Sequence, residues 1–118
     1  VKCETLIRVA AYSAATAIGA GAFGAHIARG QAVDWLHTGA IYQLIHAVAV
    51  VVVAPRNRIS AALMLAGATV FAFSLYVLAL GAPRWFGAIT PLGGVAMIGG
   101  WLWLALGSRS ASVGTIDD

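Results

Sequence analysis

The chain has 118 residues, 61% of them hydrophobic and only 9% charged, with a mean hydropathy of +0.91, a balance outside the range of ordinary soluble domains. Its net charge of +3 comes from basic residues scattered along the chain rather than gathered into a patch, which argues against nucleic acid as a partner. A single cysteine, Cys3, excludes an internal disulfide framework.

Charge is confined to short gaps between four uncharged apolar blocks, residues 9–25, 38–54, 59–83 and 85–108. Each can cross a hydrocarbon core about 30 Å thick as a helix rising about 1.5 Å per residue. The expectation is an all-α integral membrane protein, an antiparallel bundle of four transmembrane helices in a single domain, residues 1–107. Its helices should lie at about 7–27, 36–54, 59–81 and 91–107, followed by a polar tail, 108–118.

In the first helix, Val9, Tyr12, Thr16, Phe23 and Ile27 share one stripe at helical spacing, and most of the remaining circumference is Gly, Ala or Ser. In lipid the hydrophobic effect does not press helix against helix, so close backbone approach must supply the attraction. Helix one is therefore expected to be the most central. Gly19, Gly21 and Gly24 are its packing positions, and Ala15, Gly19, Ala22 and His26 form one small face. Lys2 and Arg8 ahead of this run, with Ala20-Gly21-Ala22 inside it, also have the form of a signal peptide, but the segment is read as a retained span. A short Gly-containing connector follows, with Trp35 suited to an aromatic belt at the membrane interface.

The second helix ends at the tight basic turn Pro55-Arg56-Asn57-Arg58, which favours antiparallel neighbours. Ser60, Gly67 and Ser74 recur at heptad spacing in the third, a small seam suited to a close crossing. After Gly81 and the Pro83-Arg84-Trp85-Phe86 connector, Thr90-Pro91 reads as an N-cap followed by Pro at the first helical position. The fourth helix repeats the heptad device with Gly93, Gly100 and Gly107, Gly94 lies beside it, and Trp101 and Trp103 supply bulk.

With four spans, Lys2, Arg8, Arg56, Arg58 and Arg109 fall on one side and Arg29 and Arg84 on the other. The positive-inside rule then places both termini of this multi-pass chain in the cytoplasm, or in the matrix were the protein mitochondrial.

Gly19-Ala20-Gly21-Ala22-Phe23-Gly24 matches the dinucleotide-binding pattern formally, but these glycines lie inside an apolar helix rather than in a strand-to-helix turn, so they are read as packing residues. The histidines carry more chemistry. His46 lies inside helix two near Tyr42 and Gln43 and should face the bundle, neutral and hydrogen-bonded to a neighbouring helix. His37 points about 180° away from it at about 100° per residue. His26 and His46 are candidates for a paired imidazole site, although no Cys, Asp or Glu joins them within the spans, and the simpler reading is structural. Tyr42, Gln43, Ser74, Tyr76 and Thr90 complete a candidate polar network across helices two to four, again most simply interhelical glue. Glu4, Asp34, Asp117 and Asp118 lie outside the spans, so neither a Ser/His/Asp constellation nor a carboxylate pair can be assembled.

Taken together, Gly21-Ala22-Phe23-Gly24-Ala25-His26, Trp35 with Tyr42-Gln43-Leu44-Ile45-His46-Ala47, Phe73-Ser74-Leu75-Tyr76 and Ile89-Thr90-Pro91-Leu92-Gly93-Gly94 resemble the small membrane proteins of domain of unknown function family 423. That family includes YgdD-like bacterial inner-membrane proteins and the eukaryotic transmembrane protein 256 group. The resemblance implies four transmembrane helices and carries no established activity or cofactor. It places His26, Tyr42, His46, Ser74, Tyr76, Thr90, Pro91, Gly93 and Gly94 at the family's motif positions. Phe73 departs from the pattern, because a second small residue is expected beside Ser74.

The preferred function is that of a non-enzymatic membrane protein, free-standing or an accessory subunit packed against other membrane-protein subunits, with the lipid bilayer as its solvent. One alternative is a binding or transport module for a proton, quinone or other small molecule, lined by His26, Tyr42, His46 and Tyr76. Another is a haem-binding redox subunit.

Overall fold

The computed structural model describes residues 2–115, and the surroundings of side chains as far as residue 107. Four helices dominate it: α1 Cys3–His26, α2 Gln31–Val53, α3 Arg58–Ala79 and α4 Thr90–Thr115, with a 3₁₀ turn at Arg84–Ala88 leading into α4. All four are long and apolar enough to cross a membrane. Residues 116–118 of the expected tail lie outside the described residues, and its first part continues α4 through Thr115.

The first two helices begin before the charge-free runs do, and the reason is packing. Leu6, ahead of the first apolar block, is buried in a cluster with Ala10, Ala47, Val50, Ala61 and Met64. Leu36, ahead of the second, is buried against Gly24 of α1, where an added Cβ would stand 3.0 Å from the Leu36 Cβ. Glu4 and Asp34, expected outside the spans, consequently fall in the first turns of α1 and α2. Asn57 caps α3 by accepting a hydrogen bond from Ser60 N at 3.0 Å. Gly81, at φ 101°, takes the left-handed conformation that ends α3, a geometry costly for any residue with a Cβ.

The two heptad seams meet. A Cβ on Gly93 would lie 2.5 Å from Phe71 N and 2.6 Å from Gly67 O. One on Gly67 would lie 2.7 Å from both Gly93 O and Met97 N, and one on Gly100 would lie 2.7 Å from Met64 Cγ and 3.0 Å from Ser60 O. The backbones of α3 and α4 thus touch where only glycine allows it, and Ser74 faces Thr90 at the far end of the same seam. Gly39 of α2 sits under the Tyr76 ring, with Cε1 2.8 Å from where a Cβ would be.

Helix α3, not α1, is the hub. It contacts α1, α2 and α4, whereas α1 leans chiefly on α2. Small residues are necessary for close approach but do not choose which neighbour takes the space. On α1 the face used is Leu6, Ala10, Ser13, Ala17 and Gly24, with Gly21 near Ala40. The expected packing positions Gly19 and Gly94 are corrected: a Cβ on either would meet nothing within 4 Å.

Candidate functional site

The polar side chains within the spans form separate hydrogen-bonded groups, each tying helices together. In the first, Tyr76 Oη of α3 donates to Gln43 Oε1 of α2 at 2.6 Å, and Gln43 Nε2 donates to Ser13 Oγ of α1 at 3.0 Å. Gln43 and Ser13 are both buried, so one amide links three helices.

In the second, Trp101 Nε1 of α4 donates to His46 Nε2 of α2 at 2.9 Å. An indole N–H can only donate, so Nε2 carries the lone pair and the ring proton sits on Nδ1. Nδ1 in turn donates to the Tyr42 carbonyl oxygen one turn back, at 2.7 Å. His46 is therefore the neutral Nδ1–H tautomer with both nitrogens engaged. Its ring also lies edge-on to Trp101, with centroids 5.9 Å apart.

The third group joins α3 to α4. Ser74 Oγ and Thr90 Oγ1 lie 2.6 Å apart, and Ser74 also donates to Phe71 O at 2.8 Å. Thr90, expected as an N-cap, is instead the first residue of α4, and its hydroxyl is turned to Ser74.

Two shallow grooves flank the α2–α3 pair. One, of about 360 Å³, lies between α2 and α4 and is walled by Tyr42, His46, Phe71, Met97 and Trp101. Tyr42 contributes its ring, tilted on Phe71 at 4.9 Å, and its hydroxyl has no hydrogen-bond partner among the described residues. The other, of about 280 Å³, lies between α1 and α3 over Gln43 and is lined by the hydroxyl-bearing residues Tyr12, Ser13, Thr16, Thr69 and Tyr76.

His26 is not part of either lining, a correction to its expected place beside His46. It is exposed in the last turn of α1, on the side of that helix turned away from α2. The two imidazoles are not brought together. Among the described residues, no group of three or more His, Cys, Asp or Glu is placed to hold a metal ion. Sequence reasoning missed Ser13 and Trp101. Ser13 was one small residue among many in α1. Trp101 was counted as bulk, although a buried His46 on α2 requires an interhelical partner and a tryptophan N–H is a donor that lipid cannot satisfy.

Residues 20–94 match the family model described as "Protein of unknown function (DUF423)". The chain belongs to this family. Its relatives include the UPF0382 membrane protein YwdK of Bacillus subtilis, 38% identical over 87% of this chain and 94% of the relative. A UPF0382 membrane protein of Haemophilus influenzae is 39% identical over 75% of this chain and 80% of its own length. The UPF0382 inner membrane protein YgdD of Escherichia coli K12 is 34% identical over 84% and 85%. No solved structure matches significantly. The DUF423 match contains Gln43, His46, Ser74, Tyr76 and Thr90, but begins after Ser13 and ends before Trp101. Like these relatives, the chain is a small multi-pass membrane protein, with four helices fit to span the bilayer.

Proposed function

We propose that this DUF423 protein is a non-enzymatic accessory subunit of the bacterial inner membrane, an antiparallel four-helix bundle that packs against other membrane-protein subunits. Both termini lie in the cytoplasm on this reading, in keeping with the basic residues around α1, the α2–α3 turn and Arg109. The intramembrane polar groups support a structural role: Gln43, His46 and Ser74 direct their hydrogen bonds to the protein's own helices.

The observation that carries the reading is the outer face of α1. Ala11, Ala15, Gly19 and Ala22 are all exposed, roughly opposite the Ala10, Ala17 and Gly24 face that meets α2, at about 100° per residue. Helix α1 thus has two small faces, and its own bundle uses one. Small faces in lipid are where helices approach most closely.

The test is gentle purification of the native particle from membranes, with and without Gly19→Leu. The wild type should run as a defined assembly larger than the chain. Gly19→Leu, at a position where an added Cβ meets nothing within 4 Å, should run as the free chain with unchanged thermal stability. Identical particles for both proteins would contradict the proposal.

A further inference from the structure

The groove between α1 and α3 has hydrogen-bonding capacity that the bundle does not use. Gln43 spends one N–H of its amide on Ser13 Oγ, and its carbonyl oxygen accepts from Tyr76. An amide nitrogen carries two hydrogens and a serine hydroxyl carries one. The second N–H of Gln43 and the O–H of Ser13 therefore have no acceptor among the described residues, and both side chains line the groove. Tyr12, on its rim, is 71% exposed, and its hydroxyl likewise has no partner there. Thr16 and Thr69 are already committed, donating to Tyr12 O at 3.0 Å and Leu65 O at 2.7 Å. What remains is a set of donors without an acceptor.

The depth of the groove selects the acceptor. Tyr12 lies about 14 Å along α1 from Cys3 and Thr69 about 17 Å along α3 from Arg58, at about 1.5 Å per residue. Both positions are near the middle of a hydrocarbon core about 30 Å thick, below the ester and phosphate groups of phospholipids. No ionised side chain lines the groove, so a charged ligand would be unpaired in hydrocarbon. Its volume of about 280 Å³ is at the small end of ligand clefts and suits one ring whose tail stays in the bilayer. Flat walls come from Tyr12, Phe73 and Tyr76.

We infer that this groove binds the ring of an uncharged, membrane-dissolved carbonyl compound of quinone type, whose two ring carbonyls share the donors of Ser13, Gln43 and Tyr12. The site is separate from the outer small face of α1 and needs no protein partner. It also differs from the expected lining, since His26, Tyr42 and His46 take no part.

The full chain, reconstituted in phosphatidylcholine vesicles, should be irradiated with a photoreactive benzoquinone bearing a short isoprenoid tail, and the adducts mapped by mass spectrometry. Labelling is expected to saturate and to concentrate within residues 9–16 and 69–76. Unlabelled benzoquinone of the same tail should compete, and a phenyl hydrocarbon of the same tail, which has no acceptor, should not. Tyr12→Phe, an exposed change that leaves packing intact, should lower labelling roughly two- to tenfold, the worth of one hydrogen bond. Gln43→Leu should lower it further wherever that variant folds. Unsaturable labelling spread over lipid-facing residues such as Leu92 and Leu102, adducts centred on Trp101, equal competition by the phenyl compound, or unchanged labelling of Tyr12→Phe would each overturn the assignment.

Discussion

The indole of Trp101 donates to Nε2 of His46 across 2.9 Å, fastening α4 to α2 although the main contacts of α4 are with α3. Trp101→Phe keeps the ring and removes only the donor. His46→Leu removes the acceptor and also frees the Tyr42 carbonyl from its second bond. Each single change should destabilise the bundle, and the double variant should lose less than the sum. A coupling of about 0.6 to 1.7 kcal/mol is expected for a hydrogen bond in this setting. A double-mutant cycle of unfolding in detergent checks it, and additive losses would mean that the bond contributes nothing.

The two serines of the α3 seam should behave differently. Ser74 Oγ is bonded to both Phe71 O and Thr90 Oγ1, whereas Ser60 Oγ is fully buried with no hydrogen-bond partner among the described residues. Ser60→Ala removes an unsatisfied polar atom and should leave stability unchanged or raise it, by up to about 1 kcal/mol. Ser74→Ala strands Thr90 and should lower it by about 1 kcal/mol. Thermal melts of the two variants in one detergent decide between this contrast and equal behaviour.

Glycines at the seam and on the outer face give a second contrast. Gly93→Ala places a Cβ 2.5 Å from Phe71 N, backbone that cannot step aside cheaply, and should cost about 1 to 3 kcal/mol or more. Gly19→Ala meets nothing within 4 Å and gains helix propensity worth roughly 0.5 to 1 kcal/mol. Denaturation midpoints should therefore move in opposite directions.

Topology can be read by cysteine labelling once Cys3 has been replaced by Ser. Gly30 is unsuitable as a position because its φ of 63° resists a side chain. Exposed Gln31 and Pro55 serve instead. Gln31→Cys should react with an impermeant maleimide added outside the cell and Pro55→Cys should not. The opposite pattern would invert the proposed orientation.

The four helices were legible because charge interrupts the apolar sequence in only a few places. The meshing of Ser60, Gly67 and Ser74 with Gly93 and Gly100 was half legible: heptad spacing revealed each seam, but not that they face each other. The identity of the hub was not legible. Richness in small residues describes how closely α1 can be approached, not what approaches it, and the positions that decide the matter, Gly39 under Tyr76 and Gly67 on Gly93, lie on other helices. For the polar groups, the sequence marked Gln43, His46 and Tyr76 as needing partners. It could not mark Ser13 or Trp101 as supplying them, because a serine among alanines and a tryptophan among leucines look like packing until the helices are placed together.

Photo-crosslinking in intact membranes tests the proposed function most directly. A benzophenone side chain placed at Gly19, on the outer small face of α1, is compared with the same group at Leu102, an exposed position on α4. Adducts at Gly19 should form a discrete band, one other membrane protein joined to this chain, and the same position in an Ala15→Leu background should lose it. Leu102 should yield lipid adducts alone. Lipid adducts alone at both positions would contradict a docking role for α1 and leave a free-standing bundle.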